Sequence, residues 1–296
     1  MNENTKKRYV QLAENFYKTK IVGDVTPGKI IKSLEDSAVQ YRPDYFRRLR
    51  NALAYDQIEK GYSKAAKKIN ETVNPVTVKG SDLTKKSKER RVKSVSLDDL
   101  MALKSGAIEK GDKPLLAALE LSEVLGCRPV ELFNLRIVEG MVFIEGAKKT
   151  KKGDRGLDRL VKVKYIRSMK NAITVLQAFK ESTKDFKSDP HNLIQARLAL
   201  VAKKRWPRRK ATPSLYSFRH QVGSNLKASG MDRLDIAYLM GHQATKSVDV
   251  YGDRRSGSGG VEMEAGVSKE QIRAVVRENH TTAPVKMAVQ EVGMSM

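Results

Sequence analysis

Apolar residues recur at helical spacing from the start of the chain. Tyr9, Leu12, Ala13 and Phe16 fall on one stripe with polar residues between them. The stretch VTPGKIIKSLEDSAVQY predicts a second helix after a Thr-Pro start. A third, over 41–60, sets Tyr45, Leu49, Leu53 and Ile58 against Arg42, Arg47, Arg48 and Arg50, and SKAAKKINE makes a shorter fourth. Residues 1–72 therefore predict a small basic helical bundle. From 73 to 95 the periodicity fades and Lys and Arg accumulate. That stretch is either a solvated linker or a linker that also follows a phosphate backbone.

A larger pattern occupies 96–256. SLDDLMALKSG opens a helix with Ser96 as cap and Asp98 and Asp99 in its first turn. KPLLAALELSEVLG follows as a strongly apolar helix, then RPVELFNL as a short one. RIVEG and MVFIEG read as brief strands facing a third, GLDRLVKV, across the loop AKKTKKGDR. In that third strand Leu157, Leu160, Val161 and Val163 alternate imperfectly. Residues 165–181 and 191–204 read as helices, and three short ones follow over 216–252. Phe218, Val222 and Leu226 share one helix face, with Arg219 turned toward another. Ile236, Leu239 and Met240 form the next stripe, which Gly241 ends. His242 then lies just past a helix end, where a side chain is expected to reach outward, and Val248 anchors the segment that carries Tyr251. The fold class is mainly α with a small antiparallel sheet: a helical N-terminal domain and an α+β domain. The tail, 257–296, starts loosely. Over 268–279 it reads as a helix with Ser268 and Gln271 in capping-box positions and a stripe of Ile272, Val275 and Val276. So short a helix needs a surface to dock on, either its own domain or a neighbouring protomer.

Charge changes the picture most. The 296 residues hold 57 Lys and Arg against 34 Asp and Glu, a formal net charge of +23. Such an excess favours a polyanionic partner: DNA, RNA or an anionic membrane surface. No run of 18 apolar residues marks a membrane span, and the N-terminus has no apolar signal-peptide core. The single cysteine, Cys127, excludes an intrachain disulfide and a cysteine-based zinc cluster. A soluble cytoplasmic chain is expected. The sequence has no Gly-Lys-Ser/Thr phosphate loop, no His-Glu-x-x-His and no paired cysteines, so nucleotide hydrolysis and metal routes have little support.

Phosphoryl transfer from DNA without a metal needs a nucleophile, fixed cations for the equatorial oxygens and a proton for the leaving oxygen. Arginine suits the second task because its planar fork pairs with two phosphate oxygens and stays charged. Tyrosine is a competent covalent nucleophile. The chain sets out such groups in order: Arg128 and Glu131 in GCRPVEL, lysines in GAKKTKK, Arg219, His242 in MGH, and Tyr251 nine residues later.

That spacing resembles the tyrosine recombinases, the phage-integrase and Xer-like class of DNA breaking-and-joining enzymes. The resemblance covers roughly 95–252. Residues 1–72 match only as a helical, DNA-clamping core-binding domain. It implies that Tyr251 is the nucleophile, that Arg128 and Arg219 clamp the scissile phosphate, and that His242 bonds to that phosphate or aids proton transfer. Lys149 is the implied general acid for the 5′-hydroxyl, Glu131 holds neighbouring structure, and His220 has a structural role. The family's His three residues before the second Arg is Tyr216 here, a donor without an imidazole's charge. The same resemblance implies double-stranded DNA with specific recombination sites, a tetramer on paired sites, accessory DNA-bending proteins, no cofactor, and a phage or mobile-element context. Candidate DNA contacts are Arg42, Arg47, Arg48 and Arg50 of the third helix, Lys148, Lys151 and Lys152 of the loop, and Lys203, Lys204, Arg205, Arg208, Arg209 and Lys210 in KKRWPRRK. A hairpin telomere resolvase or type IB topoisomerase would use the same chemistry. A catalytically weak DNA-binding regulator is the reading that Tyr216 favours.

Overall fold

The computed structural model describes residues 1, 3–88, 91–147 and 156–279. The chain divides into two compact units, 1–90 and 91–296. The first holds four helices, α1 (Glu3–Lys20), α2 (Pro27–Asp36), α3 (Pro43–Glu59) and α4 (Ser63–Glu71). The Thr-Pro start works as expected: the Thr26 hydroxyl accepts from Lys29 N at 3.3 Å, and Pro27 occupies the first turn, where no amide is needed. Ala13, Phe16, Ile30, Leu34, Phe46, Leu49, Leu53 and Ile69 fill the core. Ile58 was expected beside Leu53 but is exposed, because Asp56 and Gln57 take the buried side of the last turn of α3, where Tyr17 of α1 donates to Asp56 at 2.7 Å.

The second unit begins with α5 (Leu97–Glu109), whose Ser96 cap accepts from Asp99 N at 3.1 Å, and α6 (Lys113–Leu125). Three strands follow, β1 (Leu135–Val138), β2 (Met141–Ile144) and β3 (Arg159–Val163), then α7 (Ile166–Ser182), α8 (Pro190–Arg205), α9 (Leu215–Ala228) and α10 (Arg233–Leu239). Beyond a 3₁₀ turn at Thr245–Val250 come β4 (Met263–Ala265) and α11 (Lys269–Val275). The sheet is antiparallel throughout, in the order β1-β2-β3-β4. The sequence does not announce β4. It is three residues long, with Met263 buried and Ala265 partly buried against the core, too short a stretch for alternation to register.

Segment 268–279, expected to dock on its own domain or on a neighbouring protomer, is helical only to Val275 and packs on its own unit. Ile272 and Val276 are buried, and Lys269 pairs with Asp235 of α10 at 2.6 Å. Arg277 then pairs with the chain just after His242: Thr245 N donates to Arg277 O at 3.1 Å and Arg277 N to Gln243 O at 2.8 Å. Two of the three stripe residues, Ile272 and Val276, are covered within the chain, and Val275 is exposed.

Candidate active site

Four pieces of backbone converge: the end of α6, the first two turns of α9, the turn after α10, and the segment at Tyr251. Gly126 closes α6 in the left-handed region, and a Cβ there would stand 2.6 Å from Val222 of α9. Only glycine permits that approach. It places the Gly126 carbonyl where Arg219 Nη1 donates to it at 2.9 Å, while Arg219 Nη2 donates to Met240 O at 2.5 Å. Arg219 is thus fully buried, stitching three elements together.

Beneath it lies Glu131, also without exposed surface. Its carboxylate accepts four bonds: from Arg128 Nη1 at 2.6 Å, Arg128 N at 2.8 Å, Arg159 Nη2 at 3.0 Å and Ala147 N at 3.2 Å. Burial alone would raise its pKa, but the Arg159, Arg128 and Arg219 guanidiniums outweigh that and hold it at about 2. Three guanidiniums against one carboxylate leave an uncompensated excess of positive charge. Arg219 responds, lowered to about 10 by burial and by Arg128 and Arg159.

His242 is buried, contrary to the outward orientation expected of a residue past a helix end. The reason is Gly241 at φ +61°. The left-handed turn lets Gly241 N donate to Tyr238 O and His242 N to Ala237 O, each at 2.8 Å, which folds the imidazole back under the chain. There His242 Nε2 meets Arg219 Nη2 at 3.1 Å. A guanidinium has no lone pair to offer, so Nε2 must accept and the proton resides on Nδ1. That Nδ1 is buried and without a partner among the described residues, as are Arg128 Nε and Arg219 Nε. Burial, then Arg219 and Arg128, push the His242 pKa down to about 3, so it is a neutral donor at working pH.

Tyr251 lies over this cluster. Arg219 Cζ is 4.7 Å from its ring centroid, and the rings of His242 and His220 flank it at 4.9 and 5.2 Å. Its hydroxyl stands 3.5 Å from that of Tyr216, which is partly exposed and so is not core packing. Burial raises the Tyr251 pKa, but the Tyr216 hydrogen bond and the Arg219 charge reverse the sign, and the phenol ends below its ordinary value. His220 holds the same segment, its Nδ1 accepting from Gly252 N at 3.4 Å, and its pKa is lowered by burial and Lys93.

Tyr251, Arg128, Arg219, His242, Tyr216, Glu131 and His220 therefore come together. Lys149, with Lys148, Lys151 and Lys152, lies outside the described residues. Of the α3 arginines, Arg42 and Arg47 approach Asp44 at 3.9 and 3.4 Å, and Arg48 lies 5.0 Å from the Tyr45 ring. Arg50, expected to face outward, instead reaches into its own bundle and donates to Thr72 O at 3.0 Å. In KKRWPRRK, Lys203, Lys204, Arg208 and Lys210 are exposed. Arg205 pairs with Glu109, and Arg209 pairs with Asp99 at 2.8 Å and stacks over Trp206. Those two are held by acids of their own unit.

Sequence reasoning missed Arg159. Its signal was available: Leu157, Arg159, Val161 and Val163 alternate without fault once an inward arginine is admitted. Among the described residues no three His, Cys, Asp or Glu side chains gather to hold a metal ion, and no helix is long and apolar enough to cross a membrane.

No family model and no curated protein matches the chain. Solved structures do. A lambda integrase tetramer bound to a Holliday junction matches with TM-score 0.54 at 16% identity, over 86% of this chain and 73% of that one. The Tn1549 transposon integrase in complex with a circular intermediate DNA matches with TM-score 0.53 at 14% identity, over 93% of each chain. A lambda integrase fragment, residues 75–356, bound to DNA matches with TM-score 0.53 at 17% identity, over 82% of this chain and 86% of that one. At these identities the shared property is the fold, and the chain has the tyrosine-recombinase fold.

Proposed function

We propose that this chain is a site-specific DNA recombinase that cuts and rejoins strands through a covalent bond to Tyr251. The observation that carries it is the burial of Arg219, Arg128 and the neutral His242 around one phenol, with positive charge in excess and donors unpartnered. That arrangement suits a phosphodiester and little else: an anion balances the charge, and the phenol supplies a nucleophile.

The steps balance as follows. Tyr251 Oη gives up its proton to water and attacks the scissile phosphorus, the Oη–P bond forms, and the P–O5′ bond breaks, leaving a 3′-phosphotyrosyl link. O5′ takes up a proton, for which Lys149 is the candidate donor. Arg128, Arg219 and the His242 Nδ1–H offset charge on the non-bridging oxygens. The hydroxyl of a partner strand then attacks the same phosphorus and restores the phenol, so the bond's free energy is retained and neither ATP nor a metal is consumed. Glu131 and Arg159 touch no substrate in this scheme. They hold Arg128 and the turn bearing His242. A tetramer on paired sites, as in the lambda integrase complex, is the proposed working assembly, with double-stranded DNA as substrate.

Nicked or phosphorothiolate duplexes carrying candidate sites test the reading on a denaturing gel. A slow-migrating protein–DNA adduct is expected without added metal and in the presence of chelator, and Tyr251→Phe abolishes it. An adduct that survives in Tyr251→Phe removes Tyr251 from its role. Tight, specific binding without any adduct favours a regulator with this fold.

A further inference from the structure

The resemblance assigns the position of Tyr216 a contact to phosphate. Its actual neighbour is the other phenol. Tyr216 sits in the first turn of α9, fixed there by the reciprocal Ser214–Ser217 capping box, and the Tyr216 and Tyr251 rings lie near-parallel at 6.4 Å. The hydroxyls are 3.5 Å apart. The Tyr251 ring meanwhile lies over a guanidinium with no exposed surface of its own. Its Nη1 and Nη2 donate to Gly126 O and Met240 O, and the Tyr251 ring covers the face of the guanidinium.

We propose that Tyr216 is a positioning residue for Tyr251: its hydroxyl donates to Tyr251 Oη, holds the ring over Arg219, and so sets how readily a phosphate group enters the site. Either hydroxyl can donate across this pair. Donation from Tyr216 is the direction compatible with Tyr251 giving up its proton, because a phenolate oxygen only accepts. The titratable and charged groups facing Tyr251 are Tyr216, Arg219 and His220 from α9, His242 from the turn after α10, and Arg128 from the turn after α6. His242 stays neutral above about pH 3 and does not mimic a phenol titration. Arg219, lowered to about 10, loses its charge in the range where phenols titrate, so the ring label and the Tyr251→Phe reference are what identify the phenol's own titration. The gating consequence rests on the reading of Arg219 as a phosphate clamp. The phenol–phenol bond does not.

The test uses the full chain with ring-labelled tyrosine and NMR, the Tyr251 resonance being identified by its loss in Tyr251→Phe. In Tyr216→Phe the Tyr251 phenol is expected to titrate at higher pH than in the wild type. Inorganic phosphate is expected to perturb Tyr251 at several-fold lower concentration, as loss of one hydrogen bond predicts. Phosphate affinity followed through Arg219-dependent binding should rise equally in Tyr216→Phe and Tyr251→Phe and no further in the double variant, because each hydroxyl acts only through the other. An unchanged Tyr251 titration in Tyr216→Phe overturns the proposal whatever phosphate does. Weaker phosphate binding in Tyr216→Phe overturns it too, and returns Tyr216 to direct phosphate contact. A shifted titration with no phosphate response in any variant keeps the positioning bond and removes the phosphate reading of Arg219.

Discussion

A carboxylate without exposed surface must protonate or find cations. Glu131 finds two guanidiniums and two backbone amides. Its folded pKa of about 2 lies below the ordinary carboxylate value, so its stabilising contribution is full above that value and is lost as pH falls through about 2. Glu131→Gln is expected to destabilise the second unit by about 3 kcal/mol at pH 7. Urea denaturation at stepped pH checks the cause. The gap between variant and wild type should narrow below about pH 4, where the unfolded wild type starts to bind the proton that the folded state refuses until about pH 2. A gap that stays constant down to pH 2 means that packing, not charge, accounts for it.

At the scale of elements, the site depends on how helices end. Two glycines with positive φ separate the contributions. Gly230, after α9, has φ +77° and open space around a would-be Cβ, whereas Gly241, after α10, has φ +61° and a Cβ position 2.6 Å from Arg159 Nη1. Gly230→Ala carries only the left-handed backbone cost, about 1 kcal/mol. Gly241→Ala adds displacement of a buried guanidinium that holds Glu131, and should cost at least about 2 kcal/mol more. Equal thermal shifts in the two variants would mean that Arg159 moves freely, and its positioning role would go with that result. The same contrast explains what could be read in the sequence. Helix stripes and the spacing of Arg219, His242 and Tyr251 are local patterns, and they were legible. The inward turn of His242 follows from a carbonyl ladder closing over Gly241, and the burial of Arg159 from a carboxylate 28 positions away. Neither partner is visible from the residue itself. Arg50 illustrates a related limit: its charge predicts a DNA contact, and nothing in the sequence reveals the backbone acceptor, Thr72 O, that it reaches.

For the molecule as a whole, a net charge of +23 favours a polyanionic partner but does not say which side chains would meet it. Ion pairing within the second unit narrows the choice. Arg205 and Arg209 are engaged by Glu109 and Asp99, whereas Lys203, Lys204 and Arg208 make no ion pair with another described residue and are exposed. A free surface cation releases condensed counterions from a duplex when it binds. A paired one must first give up its acid, which cancels much of the gain. Duplex affinity measured against salt concentration should therefore follow a steep log–log line, and Arg208→Gln should flatten its slope by about 0.9, with a similar loss on unrelated sequences. Combining it with Lys203→Gln and Lys204→Gln should flatten the slope by up to about 3. Arg209→Gln should change the slope less than Arg208→Gln, its main effect being on the Asp99 contact. Equal slope changes for Arg208 and Arg209 would mean that DNA outcompetes Asp99. An unchanged slope in the triple variant would move the phosphate backbone off this segment, leaving the excess charge to be neutralised elsewhere on the chain.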